Sequence, residues 1–325
     1  MFASTITTHA DGIWIDAEKE IEIVKQLYQE LTAAGFAPLV QNSNNFGYPY
    51  IYSRGDIQVN CRLVDSVFFT DPSSWASKST VTVTDNHPLL PVAGTLISAL
   101  PEFWSIWHFE PEYIDRAATQ GYNCFMNRPR GDRSIVFYEL IKRDILNKGI
   151  VSYNCSPGDY RQQYVNAELQ KYQLQHTVGL TLVPYNTVEL HGTLEQCIVD
   201  SNVSVILETY TSDSHIVFSE KIFRACQLPR PWLLYCSPGS VKLLKDHGFD
   251  VLDDYVDIEY DNIIKHGDRL LTILDQLETF IDRKYTEQDY MRFDRAANHN
   301  QQLLKQFKNT WPEKFESIST QIKQL

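Results

Sequence analysis

Three arginines fall within a few positions in Asn127-Arg128-Pro129-Arg130-Gly131-Asp132-Arg133. Arginine offers a planar fork that matches phosphate oxygens, and a helix opening behind such a loop adds amide donors and partial positive charge. That combination suits a diphosphate. The plain alternative is pairing with surplus carboxylates on a solvated loop. A second group runs from Glu208 through Ser219, Glu220 and Lys221 to Arg224. Ser219 is a cap-type residue, and a helix starting there sets Lys221 and Arg224 on one face. A carboxylate in this position can accept from ribose hydroxyls while the lysine neutralises phosphate on a departing nucleotide. A helix cap followed by exposed charge is the plainer reading. Asp85 and His87, in Thr84-Asp85-Asn86-His87-Pro88 after a strand-like run, are candidates for a general base. They can equally be a turn-capping aspartate and a surface histidine.

Two further stretches have structural explanations. Ser237-Pro238-Gly239-Ser240 reads as a helix start, with serine as cap and proline at the first helical position. Asp253 through Asp261 is acidic, but it fits no EF-hand loop and lacks that loop's glycine, so it reads as a solvated turn before a helix.

The elements that position these residues change character along the chain. Residues 16–35 have the spacing of an amphipathic helix. The β-like runs YPYIYS, DIQVNCRLVDSVFF and STVTVTDNH follow, then a proline-punctuated aromatic segment over 88–113 whose Trp104, Trp107 and Phe109 can stack on bases or sugars or fill a core. From about 121 strands and helices alternate. YNCFMN, IVSYN, VSVILE, PWLLYC and FDVL read as strands. SIVFYELIKRDILNKG reads as a helix ended by Gly149, and FSEKIFRACQL and SPGSVKLLKDHG as further helices. Such alternation predicts βαβ units and a mostly parallel sheet, with functional residues in the loops after YNCFMN, VSVILE and PWLLYC. From about 260 the chain reads as helices, Leu270, Leu271, Leu274, Leu277, Phe280 and Ile281 forming one apolar stripe.

Composition narrows the function. At 325 residues and 43% hydrophobic, the chain can fill two cores. The formal net charge of −12 repels nucleic acid at long range, although a basic cleft can exist inside an acidic protein. No run is long and apolar enough for a membrane span, and the first residues lack the pattern of a secretory signal, so a cytoplasmic protein is expected. The six cysteines form no Cys-x-x-Cys pair and read as buried thiols in a reducing compartment. Phosphate-binding Gly-x-x-x-x-Gly-Lys, dinucleotide-binding Gly-x-Gly-x-x-Gly, Gly-x-Ser-x-Gly, His-Glu-x-x-His and Asp-x-Asp are all missing, so no metal or bound cofactor is expected.

The segment ETYTSDSHIVFSEKIFRACQLPRPWLLYCSPGSVKLLKDHGFDVLDDYVDIEYD resembles the C-terminal half of a group of viral and bacterial glycosyltransferase-like proteins. CFMNRPRGDRSIVFYELIKRDILNKGIVSYN is similar to their strand–loop–helix with spaced arginines. The likeness covers roughly 121–275, and its arrangement is that of the donor half of fucosyltransferase-like enzymes. It implies an α/β fold of two facing Rossmann-like domains (GT-B-like) with C-terminal helices. Residues 1–120 would form the acceptor side, 121–283 the nucleotide-sugar side, and 284–325 a helical tail. It also implies metal-independent transfer from a UDP- or GDP-sugar to a glycan or a modified DNA base. If the chain is viral, that activity would operate in the host cytoplasm. By position, Glu220 looks like the ribose-binding acid and Lys221 the phosphate lysine. Arg128, Arg130 and Arg133 share the place of the phosphate arginine, and Asp132 stands where that group has a basic residue. A non-catalytic nucleotide- or glycan-binding module is the alternative.

Overall fold

The computed structural model describes residues 26, 29–38, 51–54, 56–62, 80–84, 87–89, 95–126, 131–153, 185–209, 211 and 215–324. Residues 26 and 29–33 are helical, and the rest of the expected helix over 16–35 falls largely outside this range. The early β-like runs give β1 (Ala37–Pro38), β2 (Ile51–Arg54), β3 (Ile57–Arg62), β4 (Thr80–Thr84), β5 (His87–Pro88) and β6 (Thr95–Ser98). Five of them form a mixed sheet in the order β1-β2-β3-β4-β6, antiparallel up to β3 and parallel beyond it.

The second sheet contains β7 (Tyr122–Met126), β8 (Gly149–Tyr153), β9 (Tyr185–Asn186), β10 (Ser204–Leu207) and β12 (Trp232–Tyr235), with β11 (His215–Ile216) outside it. Its order is β12-β10-β7-β8-β9. All pairs are parallel except β8 with β9. Every residue of β8, β10 and β12 is buried, as expected of parallel strands covered on both faces. β11 pairs antiparallel with β5 and so ties the first half of the chain to the second.

Register assigns the helices to faces. Ser204 pairs with Asn123 and Val205 with Cys124, so Asn123, Phe125, Ser204 and Ile206 share one face of the sheet. α1 (Gly131–Lys142) covers the opposite face, its Phe137 stacked 4.3 Å from Tyr153, which lies beside Met126. α2 (Leu194–Val199) packs against Phe125 on the first face. α3 (Glu220–Cys226), α4 (Ser240–Asp246), α5 (His266–Ile281) and α6 (Glu287–Gln324) follow. β7 thus connects to β8 on one side and has β10 on the other, and the winding reverses between β7 and β10. In open α/β sheets the crevice at the carboxyl ends of such strands is where ligands bind.

The structure corrects several expectations. The helix expected to run to Gly149 stops at Lys142, because Asp144 turns into the left-handed region at φ 56°. Gly149 instead opens β8, where a Cβ would lie 2.5 Å from the Tyr122 ring. FDVL is not a strand: the Asp250 carboxylate accepts from the Leu252 amide, and Leu252 takes φ 55°. α4 is not capped by Ser237. Gly239, at φ 80°, precedes the helix, and the Asp261 carboxylate accepts from the Lys242 amide, while Ser237 Oγ donates to the His215 carbonyl. The acidic stretch is therefore not wholly solvated, since Tyr260 and Asp261 are buried. The aromatic segment holds β6 and a 310 turn, Glu102–Trp107, whose Trp104 lies in the core and so is not a stacking platform. No described helix is long and apolar enough to cross a membrane.

An irregular stretch, 108–120, leads into β7 and is bound to α2 and its C-terminal end. Ile114 exchanges two hydrogen bonds with Gln196, and Arg116 grips the buried Asp200 with two more, at 2.7 and 2.5 Å. Burial pushes the Asp200 carboxyl upward, but the bonds from Arg116 and Gln196 outweigh it and hold the group below its ordinary range. A depressed carboxylate contributes stability above its unfolded-state value, about 3.9, and loses that contribution as pH falls through the folded value. In Arg116→Gln, burial is opposed by less, so the variant should be less stable than the wild type near pH 6 and lose less stability on acidification, the gap closing toward pH 3. Urea midpoints measured between about pH 3 and 6 test this, and superimposable profiles would refute it.

Candidate functional site

β10 ends at Leu207, and the Glu208 amide still continues the ladder to the Tyr235 carbonyl at 3.0 Å. This fixes Glu208 at the carboxyl end of β10, on the same face as Ile206. Its side chain is 1% exposed. Oε1 accepts from the Ser219 amide at 3.0 Å and Oε2 from the Ser219 hydroxyl at 2.6 Å. Ser219 caps α3, as its residue type predicts, by accepting from the Lys221 amide. The same hydroxyl accepts from Lys221 Nζ at 2.8 Å. With one donor and two acceptor sites used, Ser219 braces its neighbours. Lys221 Nζ lies 3.2 Å from Glu220 and 3.8 Å from Glu208.

One turn along the helix, Arg224 pairs with Glu195 of α2 at 3.0 Å and lies over the Phe109 ring at 5.4 Å. Lys221 and Arg224 line one cleft between α2 and α3, floored by Phe125, Ile206 and Leu207. Glu195 has no place in the expected site. Its signal is Thr193-x-x-Gln196, the capping pattern that starts α2, where the Thr193 side chain accepts from the Gln196 amide.

In this group three carboxylates, Glu195, Glu208 and Glu220, face two cations, Lys221 and Arg224. Arg133 is buried in the first turn of α1, where its charge acts on the Cys124 thiol without offsetting the burial that pushes that thiol up to about 12. Asp132 is buried beside it and accepts from the Arg133 amide. Asn127, Arg128 and Arg130, and the candidate base Asp85, lie outside the described residues. His87 lies in β5, opposite Ile216, a residue three positions before the α3 cap Ser219. It is half-buried, and burial together with the nearby His247 lowers its pKa. A histidine so placed is neutral at pH 7 and can accept a proton. Among the described residues no group of three or more His, Cys, Asp or Glu side chains is arranged to hold a metal ion.

No protein-family model matches this chain, and no curated protein matches it in sequence. Among solved structures, it is similar to the DNA-modifying enzyme β-glucosyltransferase, determined in the presence and absence of its substrate uridine diphosphoglucose. The match covers 82% of this chain and 74% of that one, at 7% identity and a TM-score of 0.38. A likeness of that size carries no argument about chemistry, which has to come from the site.

Proposed function

We propose that this chain is a glycosyltransferase that moves a sugar from a nucleotide-diphosphate sugar to an acceptor hydroxyl without a metal ion. What supports the reading is the coincidence of two features. The winding reverses between β7 and β10, and Glu208, Ser219, Lys221 and Arg224 gather at the carboxyl end of β10. In this reading Glu220 accepts from ribose hydroxyls, while Glu208, buried and bound to Ser219, holds the donor-site end of α3 in place. Lys221, Arg224 and, from the stretch after β7, Arg128 and Arg130 would stabilise the departing diphosphate as a fixed electrostatic clamp, whereas Arg133 is buried in α1. Arg128 and Arg130, which follow β7 in sequence, would add cations to set against the three carboxylates. His87 or Asp85 removes the acceptor proton. Two facing Rossmann-like domains, 1–120 and 121–283, would carry the acceptor and donor, with 284–325 as helical tail. The acceptor is a glycan or a modified DNA base, and the enzyme acts in the cytoplasm.

A second reading draws on the excess of carboxylate. A hydroxyl-rich ligand needs acceptors more than cations, which favours a glycan-binding module without catalysis. Calorimetric titration of UDP and GDP separates the two. Lys221→Ala should weaken diphosphate binding about ten- to a hundredfold, the effect of losing one charge-assisted hydrogen bond. Glu220→Ala should weaken it too, and Lys221→Arg should retain most of it. Lys245→Ala, whose lysine is exposed and paired with Asp253, should change nothing. If the wild type binds neither nucleotide, or if Lys221→Ala and Lys245→Ala behave alike, the donor site is misassigned and the binding module gains.

A further inference from the structure

The ion pair between Glu195 and Arg224 spans the cleft. Glu195 stands in the first turn of α2, Arg224 in the last turn of α3, and the cleft floor runs between these helices. The two side chains are 17% and 14% exposed, so water and salt screen the pair less than one on the open surface. Arg224 lines the cleft one turn further along α3 than Lys221, yet its charge is turned to a carboxylate of α2. Phe109 supplies a second hold, because its backbone amide is bound to Gln227 at the end of α3 and its ring lies under the guanidinium. A guanidinium released by Glu195 therefore stays near the rim, with its donor fork available.

We infer that the Glu195–Arg224 pair is a latch across the cleft, opened when a diphosphate takes Arg224, so that Glu195 sets the threshold of charge a ligand must bring to enter. The inference rests on the donor-site reading and adds a competitor to it. A diphosphate offers several oxygens and more than one negative charge, and it can engage the fork at two points. A single carboxylate offers less and, once displaced, returns to solvent at the rim. A nucleoside without phosphate has nothing to exchange for Glu195 and meets the latch closed.

Three proteins are compared: wild type, Glu195→Gln, and Glu316→Gln, which removes one negative charge from an exposed position on α6. UDP and inorganic pyrophosphate are titrated calorimetrically into each. Amide hydrogen exchange of residues 194–199 and 220–226 is followed without ligand. With the competitor gone, Glu195→Gln should bind both ligands about tenfold more tightly, while Glu316→Gln matches the wild type. Exchange in α2 and α3 should be faster in Glu195→Gln alone. Unchanged or weaker binding by Glu195→Gln overturns the latch and makes Glu195 a support for Arg224. Equal tightening in both variants overturns it as well, since bulk charge would then be the cause. If none of the three proteins binds either ligand, the donor-site reading fails. The latch, which needs a diphosphate to open it, is overturned with it, whereas wild-type binding that Glu195→Gln does not tighten overturns the latch alone.

Discussion

Trp104→Ala should destabilise the protein by about 3–5 kcal/mol, the range for removing a buried aromatic side chain and leaving a cavity. Trp104 is 2% exposed, and its ring lies 5.4 Å from Phe218, 5.5 Å from Phe223, 5.1 Å from His247 and 6.0 Å from Phe249. Those partners come from the approach to α3, from α3 itself and from the end of α4, whereas Trp104 arrives on the 310 turn after β6. One side chain thus fills the seam between the two halves of the chain. Because Phe218 and Phe223 flank the start of α3, the cavity also loosens the turn that holds Lys221. Nucleotide affinity should therefore fall together with stability. Urea unfolding of the variant tests the first effect, and a loss below about 1 kcal/mol would show that the site collapses around the gap.

Asn300→Ala should cost about 3 kcal/mol or more, although it removes few atoms. The Asn300 amide nitrogen donates to the carbonyls of Cys226 and Asp250 at 2.9 and 3.0 Å, and its oxygen accepts from the Asp250 amide at 2.8 Å. The residue is 1% exposed. Truncation leaves three backbone groups without this partner in a place water reaches poorly, and each such loss costs about 1–3 kcal/mol. Asn300→Asp keeps the acceptor but sets a buried charge against two carbonyl oxygens, so at neutral pH it should be destabilised at least as much as alanine. Thermal unfolding of both variants checks the order, and an alanine variant within about 1 kcal/mol of wild type would mean that the carbonyls find other donors.

Much of the second sheet is legible in the sequence because its strands are apolar at nearly every position. VSVILE and PWLLYC mark β10 and β12 by themselves, since a parallel strand covered on both faces has little use for polar side chains. FDVL has the same composition but folds otherwise, for the reason that Asp250 is committed to Leu252, Asn300 and Arg292. Two of these partners, Arg292 and Asn300, lie some forty to fifty residues away, where no local pattern reaches. The cap of α3 is likewise local, and Ser219 announces it. The cap of α4 is not, because the carboxylate that serves it comes from Asp261. The candidate site divides in the same way. That Lys221 and Arg224 share a helix face, with Glu220 beside Lys221, follows from the sequence, but their opposition by Glu208 and Glu195 depends on packing between separate elements.

α6 imposes an order on the protein's manufacture. Along its length it touches both halves: Asn300 holds the Cys226 and Asp250 carbonyls, Lys314 donates to the Leu100 carbonyl, Trp311 packs edge-on against Phe103, and Ser319 and Lys323 reach Glu30. Pro312 removes one intrahelical hydrogen bond beside the residues that meet the 310 turn. On the ribosome, residues near Glu30 leave the exit tunnel long before their partners at 319 and 323 have been made. At a synthesis rate of about 5–20 residues per second, that interval is tens of seconds. Throughout it the apolar side chains of the 310 turn lack their α6 cover. The nascent first half must therefore remain soluble, or be held by a chaperone, until the long helix arrives.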